Sequence, residues 1–419
     1  MPKFAANNKK RKNEEISSDS ESESDGNVDN AERETAAEKR LRLAKNYLAQ
    51  LRAEELSKRE ESDSDEDGIN TTINKRLKDD RLFKEGILQR NLADSYSKET
   101  EVQILKNGHM KSVTCIEVTT DLSYLYSGSK DGLVIKWNIN DNYKREKKYK
   151  LSHSILCMSL NTPEDTYLAV GGCDKNFLIL NTSDFSLRHT FMGHKIAITA
   201  LKFRRNSSQL FSASQDKLIK VWNTDEMSYV ETLFGHESAV NSLDSLVKER
   251  AISCGGYDKS IRIWKIIDES QLVFHYSNCT SIECVSYINE DYFVSGSDDN
   301  SIQLWSVLKK KPIYVHKEAH PGPENWITSI AALSFSDLIA SGSKDGFIRL
   351  WKCGPGYKSL ENLFSVEIQP GFVNNLRFHG DSLLTAAIGQ EHKCGRWWKV
   401  KGSKNCLAVI KLKNSLEQN

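Results

Sequence analysis

From residue 99 onward the chain repeats one hydrophobic pattern: short apolar runs rich in Val, Ile and Leu, separated by turns of Gly, Asp, Ser and Lys. Runs of that length, bounded by turn residues, predict strands. One run in each unit ends alike. SGSKDGLVIKW ends at Trp137, SASQDKLIKVW at Trp222, CGGYDKSIRIW at Trp264, SGSDDNSIQLW at Trp305 and SGSKDGFIRLW at Trp351. The interval from Trp222 to Trp264 is 42 residues, and the doubled interval before Trp222 holds another copy, GGCDKNFLIL, ending at Leu180. A seventh copy is read in GQEHKCGRWW, ending at Trp398. Seven copies of roughly 40–45 residues match the length of four-stranded propeller blades. The expected fold is therefore all-β, a seven-bladed β-propeller over residues 99–419.

Polar positions inside the repeats support this. Asp131, Asp174, Asp216, Asp258, Asp299 and Asp345 each precede the closing Trp or Leu by six residues, and His392 takes that place in the seventh copy. Gly-His pairs stand upstream at His109, His194 and His236, each 22 residues before its Asp. With a Ser on the intervening strand, such a His, Asp and Trp can form a buried hydrogen-bond chain in which every polar group is satisfied. The pattern resembles the WD40 repeat, which makes these His and Asp residues structural rather than catalytic. The start of the fifth blade, HYSNCTS, lacks the Gly-His, so its polar chain is in doubt. TEVQIL (100–105) and NCLAVIKL (405–412) are both suited to closing the ring as outer strands; one suffices, and the other would be an extra edge strand or dock elsewhere.

Residues 1–98 are different. They hold 20 basic and 22 acidic side chains and no Trp, too few apolar groups to offset the entropy of ordering. A charged, largely disordered arm is expected, with one helix at about 34–61, where Leu41, Ala44, Leu48 and Leu51 form a narrow apolar stripe. Lys9, Lys10, Arg11 and Lys12 form a basic cluster suited to nuclear import, and acidic serine runs follow at 17–25 and 62–67.

The formal net charge of +1 excludes a uniformly basic nucleic-acid binder but allows a basic face. Lysines crowd the turns next to the repeat Asp residues, and Lys130, Lys175, Lys217 and Lys259 project from consecutive blades, an arrangement suited to a phosphate backbone. His392, Lys393 and Arg396 join them as candidates because GQEHKCGRWW departs from the generic repeat. No phosphate loop, metal-binding helix or nucleophile elbow occurs, and no apolar run reaches bilayer length, so neither an enzyme nor a membrane protein is expected. The nine cysteines include no C-x-x-C pair; Cys115, Cys157 and Cys284 fall within apolar runs and read as reduced core residues, and no metal or cofactor is expected.

Longer phrases outside the repeat grammar carry a closer resemblance. ETAAEKRLRLAKNYLAQLRAEE, the Phe203–Arg205 triplet, SYVETLFGH, EAHPG and GQEHKCGRWW together resemble the WD40 family of the U3 small nucleolar ribonucleoprotein. That resemblance implies a nuclear and nucleolar, non-enzymatic RNA-binding protein. It would recognise the box B/C region of U3 RNA together with the small kink-turn-binding protein seated there. It would also work with other small-subunit processome proteins in maturing pre-18S RNA, its propeller monomeric. The alternative is a generic protein-interaction hub, such as a ubiquitin-ligase substrate adaptor.

Overall fold

The structure, a computed structural model, describes residues 36–57, 66–85, 88–106, 108–322, 324–395 and 397–413. It separates into one unit ending at Arg76 and a second beginning at Leu77. The basic cluster 9–12 and the first acidic serine run lie outside the described residues. Helix α1 (Ala36–Ser57) falls within the predicted 34–61, with Leu41 and Leu48 exposed. A second helix, α2 (Glu66–Glu85), is not predicted, because Gly68 and the β-branched pair Thr71-Thr72 weaken its helical pattern. Leu51 of α1 and Ile73 of α2 are buried, and Arg52 Nη2 donates to Asn70 Oδ1 at 3.4 Å.

The second unit holds seven four-stranded antiparallel sheets, the expected propeller. In each, strand a is innermost and strand d outermost. Blade one runs a Val113–Val118, b Tyr124–Ser129, c Leu133–Asn138 and d Lys144–Lys150. Blades two to six occupy residues 155–191, 198–233, 240–275, 282–316 and 329–367. Between each pair of neighbouring blades lies an apolar cluster, so the core is a ring of seven packed seams.

Blade seven corrects the sequence reading. Its strands a and b are Phe372–His379 and Leu383–Gly389, its c strand is Cys406–Lys411, and its d strand is Glu101–Lys106. The last two pair antiparallel from Glu101↔Lys411 to Lys106↔Cys406. Both terminal segments are thus consumed by one blade and neither is spare. GQEHKCGRWW is not the third strand; it belongs to the b–c connection, and Trp398 is 46% exposed. The register places Ile410 opposite Leu384 as Trp137 lies opposite Leu125, and Ala386 where blade one has Ser127. Blade two makes the same exchange, with Val170 and Leu180 in those places. Exchanging both partners of a buried hydrogen bond for apolar groups leaves nothing unsatisfied, so these blades stand without the polar chain.

Residues 88–98, assigned to the arm by composition, are built into the propeller. Arg90 N donates to Phe335 O, Leu92 N and Ala93 N both donate to Asp337 Oδ1, and Arg90 pairs with Asp381 at 2.7 Å. Ala93 and Tyr96 enter the seam between blades six and seven. Composition could not show this because the anchoring groups are mostly backbone.

Candidate nucleic-acid interface

The polar chains fix which loops share a face. In blade three, Trp222 Nε1 donates to Ser212 Oγ (2.8 Å), Ser212 Oγ lies 2.7 Å from His194 Nε2, and His194 Nδ1 lies 2.9 Å from Asp216 Oδ2. Blade four repeats this through Ser253, His236 and Asp258. In blade one, Ser127 joins Trp137 and His109, but His109 Nδ1 is 3.8 Å from Asp131. Gly precedes His109 for a steric reason: a Cβ on Gly108 would sit 2.6 Å from the Trp137 ring.

Blade six forms the chain with His320, which the Gly-His spacing misses: His320 Nδ1 lies 3.0 Å from Asp345 and Nε2 2.9 Å from Ser341. In blade five, Tyr276 OH reaches Asp299 at 3.3 Å and Gln303 accepts from Ser295, so that blade is satisfied by other groups. Asp174 is corrected: in blade two its side chain accepts from the Lys175 amide, and among the described residues it joins no buried chain. Because each His comes from a d–a loop and each Asp from a b–c turn, these loops emerge together on one face.

On that face Lys175 and Lys217 are exposed and Lys259 is half-buried, and among the described residues no acid pairs with any of the three. Lys217 (φ 71°) and Lys259 (φ 54°) hold left-handed backbone at the turn position where blades one and six use Gly132 and Gly346. A non-glycine residue costs about 1 kcal/mol there, so lysine is not what the turn prefers. Lys217→Gly should leave the melting temperature unchanged or slightly raised while weakening nucleic-acid binding. A drop in both would show that the lysine serves the fold.

The other candidates are placed differently. Lys130 is buried beneath the blade-seven b–c connection, its Nζ donating to Gly395 O at 2.6 Å and lying 3.5 Å from Glu391, so it anchors that loop. Lys393 Nζ extends inward to Asn241 O at 3.4 Å. His392 packs edge-on to Trp326 and Phe372, and burial drives its pKa down to about 3, which removes it as a charged phosphate contact. Arg396 lies outside the described residues. The sequence reading also missed the outer strand of blade one, KREKKYK, whose Lys144, Arg145, Lys147, Lys148 and Lys150 are exposed on the rim; the run itself was the available signal.

On the opposite face and in the central channel several cations are paired, while Arg205 donates to Ser334 Oγ. Arg204 pairs with Glu249 at 2.7 Å, and in the central cavity of about 420 Å³ Lys202 pairs with Asp244 and Arg377 with Glu117, each at 3.1 Å. Lys175 and Lys217, exposed and without an acid partner among the described residues, stand on the face bearing the b–c turns.

The family model for the WD domain, G-beta repeat, matches residues 100–138, 185–223, 227–265, 270–306 and 310–352, passing over most of the two blades without the polar chain. Human U3 small nucleolar RNA-interacting protein 2 is 46% identical over 401 residues, 91% of this chain and 83% of that protein. The chain belongs to the U3 small nucleolar RNA-interacting protein 2 family of WD40 proteins. A match of that length exceeds the propeller, so family likeness extends into the arm. Ribosomal RNA-processing protein 9 of Saccharomyces cerevisiae is 25% identical over 509 residues, covering 89% of this chain and 88% of its own. A solved structure titled "Crystal structure of RRP9 WD40 repeats" superposes with a TM-score of 0.72 at 41% identity, over 75% of this chain and 98% of that one. Family membership thus bears out the resemblance read from the long phrases.

Proposed function

We propose that this protein is a non-enzymatic U3 small nucleolar RNA-binding component of ribosome biogenesis, acting in the nucleolus. It recognises the box B/C region of U3 RNA with its kink-turn-binding protein in place, and so supports small-subunit processome assembly and pre-18S RNA processing. The observation that carries the reading is the lysine-bearing face of Lys175, Lys217 and Lys259, two of them at turn positions that glycine would fill at lower cost, in a member of a U3 RNA-interacting family. Such a face meets phosphates and 2′-hydroxyls, the features by which RNA helices are read. The test is the salt dependence of binding between the full chain and a U3 box B/C RNA. For an RNA-binding face the logarithm of the affinity falls linearly with log salt, whereas a protein-interaction hub shows no RNA affinity to lose.

Import is assigned to Lys9, Lys10, Arg11 and Lys12. Replacing all four with Ala should leave a folded protein that is partly cytoplasmic in imaging. Undiminished nucleolar accumulation, in cells where entry on a partner is blocked, would remove the assignment.

A further inference from the structure

The b–c connection of blade seven, residues 390–405, presents Trp397 at 95% exposure. An indole this open is unusual, because leaving a large apolar side chain in water forgoes about 2 kcal/mol of burial. The loop around it is nevertheless held. Lys130 fixes Gly395 on one side, and on the other Trp398 packs edge-on against Trp326 at 5.3 Å, with Lys344 Nζ 5.7 Å from both rings. The backbones of Glu391 and Lys399 form an antiparallel β-bridge, and the Glu391 amide donates to Ser112 Oγ. Trp397 is therefore presented on a braced loop.

Beside it lies a hollow of about 360 Å³, lined by Leu156 and Cys173 of blade two together with Ser154, Lys130, Lys393 and Gly395. Lys175 stands exposed two residues beyond Cys173, and Lys150, at the end of the basic outer strand of blade one, donates to Asp131 O of the blade-one b–c turn. An apolar Leu156, an open indole and lysines in and around the hollow suit a flat heterocycle carrying a phosphate.

We propose that this hollow takes one unpaired nucleotide of the bound RNA, its base stacked on Trp397 and its phosphate met by Lys175. The proposal rests on the RNA-binding reading of this face. Bases splayed from loops and bulges are commonly held on aromatic side chains, a contact tolerant of sequence because every base has a π-face.

The experiment compares wild type, Trp397→Ala and Trp397→Phe for binding to a U3 stem-loop RNA containing box B/C, naked and loaded with the kink-turn protein, across a salt series. Trp397→Ala should weaken binding to both forms by about ten-fold or more. Trp397→Phe should retain most of the affinity, and the slope against log salt should not change, since no charge is lost. Wild-type binding by Trp397→Ala, while Lys217→Glu binds poorly, would overturn the stacking site and leave the RNA reading standing. A loss confined to the protein-loaded RNA would make Trp397 a protein contact and also overturn the proposal. Failure of the wild-type chain to bind either RNA form would end the RNA reading and this proposal together.

Discussion

The variant carrying Lys175→Glu, Lys217→Glu and Lys259→Glu should bind the U3 box B/C particle at least a hundred-fold more weakly than wild type at physiological salt, with an unchanged melting temperature. Each reversal would remove a proposed phosphate contact and add repulsion, and the three would act on one polyanion. Neutralising a single lysine should instead flatten the slope of log affinity against log salt by about 0.7–0.9. Lys130 is excluded from the variant. Its ammonium is buried against Gly395 O, so a Glu there would set a second carboxylate beside that of Glu391 and unseat the loop. Because RNA helices are read through shape and backbone, swapping base pairs within the stem should matter less than changing its length or bulge. A folded triple variant that binds as wild type does would move the site off this face.

The second large effect concerns stability. Asp216→Ala strands His194 Nδ1 and the amides of Lys195 and Leu218, and should cost about 1–3 kcal/mol. Burial alone would raise the Asp216 pKa, but the hydrogen bonds from His194 and the two amides outweigh it and hold the carboxyl at about 2, against an ordinary 3.8. A depressed folded pKa gives stability that is present above the unfolded value and lost as pH falls through the folded one. The stability gap between wild type and Asp216→Asn should therefore be full near pH 6 and shrink between about pH 4 and pH 2, as read by denaturant unfolding. RNA affinity should be unaffected at neutral pH. Normal unfolding with lost RNA binding would mean that the Asp serves the site instead.

What could be read from the sequence followed from which groups leave a polar signature. Gly-His, Ser, Asp and Trp are needed together in blades one, three and four, so those blades were legible as units. His320 does the same work without a preceding glycine and three residues further from its Asp, and fixed spacing missed it. Blade seven left no signature, since Ala386 and Ile410 replace Ser and Trp with groups that need no partner. The nearby Trp398 then drew the reading into a connection that is not a strand. The lysine turns were visible as a pattern, but burial of Lys130 and His392 depends on how that connection folds back over blade one and against Trp326, contacts between residues far apart in sequence. The open indole of Trp397 was hidden for the same reason.

The most direct test of the central claim is ultraviolet crosslinking of the full chain in cells, identifying both the recovered RNA and the crosslinked peptides. The account predicts U3 RNA, with crosslinks at box B/C nucleotides and at peptides carrying the b–c turns of blades two to four and the blade-seven connection. Absence of U3 RNA, or crosslinks confined to the face bearing Arg204, would contradict it.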